Sequence, residues 1–149
     1  MKSISRRIKI NPVAASRPRV TKRGTYYAKE YESFKKSFPL LLGKPNKLNG
    51  ALSVIIALTI PVPKSITKKE KLSRLGNYHT MKPDADNYAK AILDAMNGIY
   101  YEDDAQVAML SISKKWGVEG EIQIVVREIE EKEKVHENQM TIDDVLNKK

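Results

Sequence analysis

The chain has 149 residues, a length that fits one ordinary domain, and its 41% hydrophobic and 30% charged residues exclude a disordered chain. It contains no cysteine, which excludes a disulfide framework, a thiol nucleophile and a thiolate zinc site, and its two histidines, His79 and His136, are far apart in sequence. The net charge of +9 is unevenly spread, with 19 Lys/Arg against 3 Asp/Glu in residues 1–82 and 8 against 15 in residues 83–149, so a polyanion-binding half joined to an acidic half is expected.

Along the chain, Ile4, Ile8 and Ile10 recur with period two between Ser3 and Ile10, the pattern of a half-buried strand. The same alternation is unlike the apolar block of an export signal, and no apolar run approaches the ~18 residues that cross a bilayer, so a cytoplasmic protein without a membrane partner is expected. Residues 12–24, PVAASRPRVTKRG, read as a basic loop. From Ala28, the positions Tyr31, Phe34, Phe38, Leu41 and Leu42 have helical spacing, with Pro39 expected to end or kink the helix. After the turn GKPNKLNG, the β-branched run ALSVIIALTI predicts a buried central strand closed by Pro61 and Pro63. Thr67 and Glu70 have capping-box spacing for a short helix, and the chain from there to Met81 reads as exposed basic loop.

From Asn87 to Met96, Ala89, Ile92, Leu93 and Met96 fall on one helical face, and Asn97-Gly98 supplies a stop. An acidic turn leads into a strand from Ala105 to Trp116, and Gly117 and Gly120 bracket a turn into EIQIVVREI, so these last two strands are expected to pair as a hairpin. Residues 130–149 form a charged extension in which Ile142, Val145 and Leu146 can line a short helix capped by Thr141. The order of elements predicts an α+β domain over residues 1–129, two layers with a mixed sheet packed against helices.

The chemistry concentrates in PDADNYAKAILDAMNGIYYEDDAQV. Asp84 and Asp86 cannot converge on a helix, where two residues are separated by ~200°, but an extended segment after Pro83 places both on one side, with Asp86 as the helix cap. Lys90 and Asp94 follow at i+4 and i+8. Taken structurally these are a cap and a surface ion pair of about 0.3–0.5 kcal/mol. Glu102, Asp103 and Asp104 return beside the helix, and clustered hard oxygens suit Mg²⁺ or Mn²⁺; the bland alternative is an exposed acidic turn, in which strand alternation lets at most two of the three converge. An EF-hand starting at Asp84 fails because Ala89 and Ala95 stand where Gly and Glu are needed, and a zinc hydrolase lacks its His or Cys pair. A carboxylate metal site beside Lys90, on a polyanion-binding protein, is the chemistry of a phosphodiester nuclease.

The segment KPDADN, Lys90 and EDDAQV, together with the loop Ser16-Arg17-Pro18-Arg19-Val20, GTYYAKEYESFKK and the strand Ala51 to Pro63, resembles the RusA-type Holliday junction resolvases, a likeness covering roughly residues 5–129. The resemblance implies a homodimeric, RusA-like fold and a Mg²⁺-dependent endodeoxyribonuclease that nicks four-way DNA junctions symmetrically in recombination and repair. It also implies metal-binding acids at Asp84, Asp86 and Asp104, with Asp103 as the alternative register, and an essential lysine at Lys90. Arg17, Arg19, Lys22, Arg23 and Lys82 are then candidate phosphate contacts. The alternative of another class is a non-catalytic DNA-binding recombination accessory protein. A glycosyltransferase with a metal-holding DxD is disfavoured by the short chain and the lack of a Gly-rich loop.

Overall fold

The run from Leu52 to Pro61 forms the longest apolar strand (β4), with Leu52, Val54, Ile56, Leu58 and Ile60 all buried. A strand of that composition is most stable with a neighbour on each side, and β4 has two: β5 (Val107–Gly117) runs parallel to it and β6 (Glu121–Glu128) antiparallel. Strand β1 (Ser3–Ile8) pairs antiparallel with β6 and completes a four-stranded mixed sheet of order β1-β6-β4-β5. These are features of a computed structural model describing residues 2–131 and Leu146; apart from Leu146, the helix expected after Thr141 falls outside the described residues.

Three helices accompany the sheet: α1 (Lys29–Leu41), α2 (Lys68–Arg74) and α3 (Ala85–Met96). Helix α1 buries Tyr31, Phe34 and Phe38, with Phe34 and Phe38 stacked at 4.6 Å between centroids. Pro39 lies in its last turn and the helix runs on to Leu41, because there is little helix beyond a proline at this place to disrupt. Helix α2 starts as its sequence predicts, Thr67 Oγ1 accepting from the Glu70 amide at 3.2 Å. Helix α3 buries Tyr88, Ala89, Ala91, Ile92 and Met96 and packs against α1 and β5. The architecture is α+β with a mixed sheet, as expected.

Three features differ from the sequence reading. Strands β5 and β6 are consecutive but do not pair, since β4 lies between them. With strands ~4.8 Å apart, the three-residue link 118–120 can step over the end of β4, and the buried strand takes the central place because it gains most from two neighbours. Second, the basic loop contains a β-ribbon, β2 (Arg19–Thr21) with β3 (Gly24–Tyr26), turning at Lys22-Arg23 with Gly24 at φ 125°. Third, residues 76–79 are not loose: Gly76 N donates to Trp116 O, Trp116 N to Asn77 O and His79 N to Lys114 O, all at 2.9–3.0 Å. They satisfy the outer edge of β5, and His79 is buried with its ring 4.3 Å from that of Trp116.

The step from β5 to β6 depends on Gly120, where a Cβ would meet the Asn11 side chain and come within 2.6 Å of Asn11 Cα. Gly120→Ala is expected to destabilise the fold by about 1–3 kcal/mol in urea denaturation; an unchanged midpoint would show that the 118–120 turn is not packed against Asn11.

Candidate functional site

Helix α3 begins at Ala85, two residues before the first position predicted to be helical. Asp84 therefore occupies the N-cap and Asp86 the first turn, correcting the expectation that Asp86 caps the helix. A Pro at position 83 cannot continue a helix backwards, so the boundary falls immediately after it. Asp84 is extended (φ −69°, ψ 153°) whereas Asp86 is helical, so the DxD is not one extended segment. The Asp84 side chain makes no cap hydrogen bond; Lys82 Nζ donates to it at 2.9 Å, and this bond, with the Lys82 charge, holds its carboxyl below the usual carboxylate range. Lys114 of β5 donates to the carbonyls of Met81 (3.0 Å) and Pro83 (2.8 Å), tying the approach to the helix to the sheet.

With Tyr88, Ala89, Ala91 and Ile92 buried, the opposite side of α3 presents Asp86, Asn87, Lys90 and Asp94 to solvent. Lys90 Nζ donates to Asp94 at 3.2 Å, and this bond raises the lysine pKa, helped by the negative charges of Asp94 and Asp104. Lys90 stays fully protonated at neutral pH.

The acidic turn is held from within. Gln106 Oε1 accepts from the amides of Glu102 (3.0 Å) and Asp103 (3.2 Å), and its Nε2 donates to Gly50 O at 3.1 Å. Asn97 Oδ1, at the end of α3, accepts from the Asp104 amide at 2.8 Å, and Tyr101 donates to Leu93 O at 2.8 Å. Within this frame the three acids have different surroundings. Glu102 pairs with Lys47 at 2.9 Å, and Asp103 caps a 3-10 turn (Asp104–Gln106) by accepting from the Ala105 amide at 3.2 Å. Asp104 is half-buried and feels the negative charge of both Asp103 and Asp94. The two carboxyls act on each other in opposite directions: interaction with the Asp104 carboxyl lowers the Asp103 pKa, and interaction with Asp103, with burial and like charge, raises that of Asp104.

The basic loop closes the other flank. The Ala15 amide donates to Asn87 O at 2.9 Å, bringing Ser16, Arg17 and Pro18 beside α3. A cavity of about 330 Å³ opens between loop, α1 and α3, with Arg17, Tyr27, Tyr31, Lys35, Lys90 and Asp94 among its walls. Arg19, Lys22 and Arg23 project from the exposed ribbon, which also exposes Val20 and Tyr26.

Lys90 and Asp104 are thus brought together, with Asp103 alongside, while Asp84 and Lys82 form a separate pair at the start of the helix. Among the described residues no three His, Asp or Glu side chains converge tightly enough to enclose a metal ion. Sequence reasoning missed Asp94, read as a surface ion pair, whose charge also bears on Asp104 and Tyr101. Its position at i+4 from Lys90 and i+8 from Asp86 was the available signal. Gln106 was visible only within the EDDAQV run and Asn97 only as part of a helix stop; their task of holding the backbone amides of the acidic turn left no signal of its own.

The family model for endodeoxyribonuclease RusA matches residues 9–127, from the end of β1 through nearly all of β6. The chain belongs to the RusA endodeoxyribonuclease family. It is also similar to the uncharacterized protein YqaN of Bacillus subtilis (strain 168), with 33% identity over 129 residues that cover 79% of this chain and 91% of that protein. The RusA match includes every acid, lysine and arginine discussed above, and stops short of the charged extension.

The raised Asp104 pKa gives a test. A carboxyl whose pKa is higher folded than unfolded costs stability when ionised, and the cost vanishes once pH falls below the unfolded pKa. Asp104→Asn is therefore expected to raise the melting temperature of the metal-free protein at pH 7 by a few degrees, a gain shrinking toward zero near pH ~4. A melting temperature at pH 7 that is unchanged or lower would contradict the like-charge strain at Asp104.

Proposed function

We propose that the protein is a metal-dependent endodeoxyribonuclease that resolves four-way DNA junctions by symmetric phosphodiester cleavage as a homodimer, in recombination and repair. The observation that carries this reading is Lys90 beside Asp104 and Asp94 on a helix flanked by a basic loop and ribbon, in a chain matched by the RusA model over residues 9–127. A cationic flank with a carboxylate centre suits a polyanion that must be cut, not merely held.

The donor set fits a hard divalent cation. Mg²⁺ keeps several waters and is commonly held by one or two carboxylates together with substrate phosphate, so the lack of a preformed three-acid cage is no obstacle. We assign Asp84, Asp86 and Asp104 as its carboxylates, with Asp103 supporting Asp104 through the turn it caps. When bound, Mg²⁺ or Mn²⁺ supplies Lewis-acid polarisation of the scissile phosphate and lowers the pKa of an attacking water. Lys90 remains protonated and places positive charge where the transition state gains negative charge. Arg17, Arg19, Lys22 and Arg23 neutralise neighbouring phosphates and fix the strand's register, with Lys82 held in reserve by Asp84 until DNA competes for it.

The separation of Asp84 from the Asp103–Asp104 pair is what a non-catalytic, junction-binding accessory protein would also present. A synthetic four-way junction incubated with and without Mg²⁺ distinguishes the two: paired nicks at symmetric positions are expected only with metal, and binding without cutting under Mg²⁺ and Mn²⁺ would establish the accessory reading. Asp86→Asn is expected to remove cleavage while leaving junction binding unchanged or slightly tighter, since it deletes a ligand and a negative charge near phosphates. Lys90→Ala is expected to lose about 10²–10³-fold in the cleavage rate with metal affinity retained; lost metal affinity would make the lysine structural. Junction binding should weaken steeply with salt, and Arg17→Ala combined with Arg19→Ala should flatten the log–log dependence by about 0.9 for each phosphate no longer neutralised.

A further inference from the structure

The cavity between the basic loop, α1 and α3 has a composition that the acid–lysine chemistry does not use. Among the described residues Ser16 Oγ is buried with no hydrogen-bond partner, and a hydroxyl left that way forfeits free energy unless a ligand satisfies it. Lys35 Nζ lies 4.2 Å from the ring centroid of Tyr27 and 5.1 Å from that of Tyr31, so its ammonium is steered by two aromatic faces. Among the described residues no carboxylate pairs with Lys35 or Arg17, and the single acid in the wall, Asp94, is paired with Lys90. The result is a recess with an excess of positive charge, one spare hydroxyl donor and the amide of Asn87 at its edge.

We infer that this cavity holds a backbone phosphate of the DNA strand next to the one that is cut, with Lys35 and Ser16 as its positioning residues. The inference deepens the proposed nuclease reading and rests on it. A phosphate accepts from a hydroxyl, an ammonium and a guanidinium at once, which is the donor set on offer. An unstacked base is a poorer match: Tyr31 is buried and Lys35 covers the Tyr27 face, so neither ring offers a free stacking platform. Lys90 forms a wall of the cavity and also feels the Asp104 charge, so it stands between the recess and the acids. A phosphate in the recess would therefore set how far the next one lies from Asp104. Lys35 and Tyr31 belong to the same helix as Phe34 and Phe38, whose burial fixes that helix on the core, so the distance is set by a rigid element.

The test is binding of a four-way junction in EDTA, so that cleavage does not enter, with single uncharged methylphosphonates stepped across the branch point. Wild type is expected to lose affinity at one position close to the cut. Lys35→Ala should bind native DNA several-fold more weakly, flatten the salt dependence by about 0.9 for each recess engaged, and show no further loss at that position. Lys35→Arg should retain binding. Ser16→Ala should weaken binding without lowering the melting temperature, because it removes no bond made in the free protein. Equal losses for wild type and Lys35→Ala at every position, or an unchanged salt dependence in folded Lys35→Ala, would overturn the assignment. So would saturation of the recess by inorganic phosphate with no methylphosphonate effect, which would make it a free-anion pocket. A wild type that binds the junction but does not cut it under Mg²⁺ or Mn²⁺ would instead sink the nuclease reading, while these binding measurements still decide the recess.

Discussion

The apolar side of α3 lies on a sheet whose inner face is closed by Val54, Ile56 and Leu58 of β4 and by Ile122, Ile124 and Val126 of β6, all buried. Burial of Ile92 and Met96 against that face is what orients the helix, each such side chain gaining about 1.5–3 kcal/mol on leaving water. Because a helix is a rigid rod, fixing its apolar side fixes the direction of Asp86, Lys90 and Asp94 on the other. The acidic turn is referred to the same helix through Tyr101 on Leu93 O and Asn97 on the Asp104 amide. Tyr100, fully buried and donating to Leu42 O at 2.9 Å, ties that turn to the end of α1. Placement of the acids is therefore a consequence of core packing, and no loop on its own sets it.

What could be read from the sequence followed this division. Elements defined by their own periodicity were legible: β4 from its β-branched run, α3 from Ala89, Ile92, Leu93 and Met96, and α2 from the Thr67 cap. Elements defined by a distant partner were not. The supposed β5–β6 hairpin failed because pairing is chosen by competition among all strands, and β4, adjacent to neither in sequence, offered the larger apolar surface. The ribbon Arg19–Tyr26 was concealed by a composition of charged residues and Gly that reads equally well as loop. Residues 76–79 gave no strand pattern because they serve the β5 edge through backbone groups alone.

The candidate site divides in the same way. The residue types Asp84, Asp86, Lys90 and Asp104 were visible, as was their order, because motif spacing survives without a fold. Their environments were not. Asp84 has a cation of its own in Lys82 and Asp94 has Lys90, each an exposed pair of modest strength. Among the described residues neither Asp103 nor Asp104 forms a salt bridge, and the two carboxyls act on each other. This difference arises because Gln106 and Asn97 hold consecutive backbone amides, forcing neighbouring carboxyls to one side of a tight turn.

A basic protein that gathers acids therefore does so unevenly, and the unevenness has a direction. Acids already matched by lysines cost little in the free protein but repel DNA little as well, whereas the Asp103–Asp104 pair carries like charge that only a proton or a cation relieves. On the proposed function, DNA phosphate brought close to that pair alone would add a third negative group, so approach of the backbone would be unfavourable without a divalent cation. Cation and phosphate would then favour each other's binding, each removing the repulsion that opposes the other, which is thermodynamic coupling without a conformational change. On the same reading the basic loop and ribbon would act outside this centre and attract the duplex whether or not metal is present. On the proposed function, affinity and cutting would consequently answer to different variables: salt governs the first through the arginines and lysines, and metal and pH govern the second through Asp104.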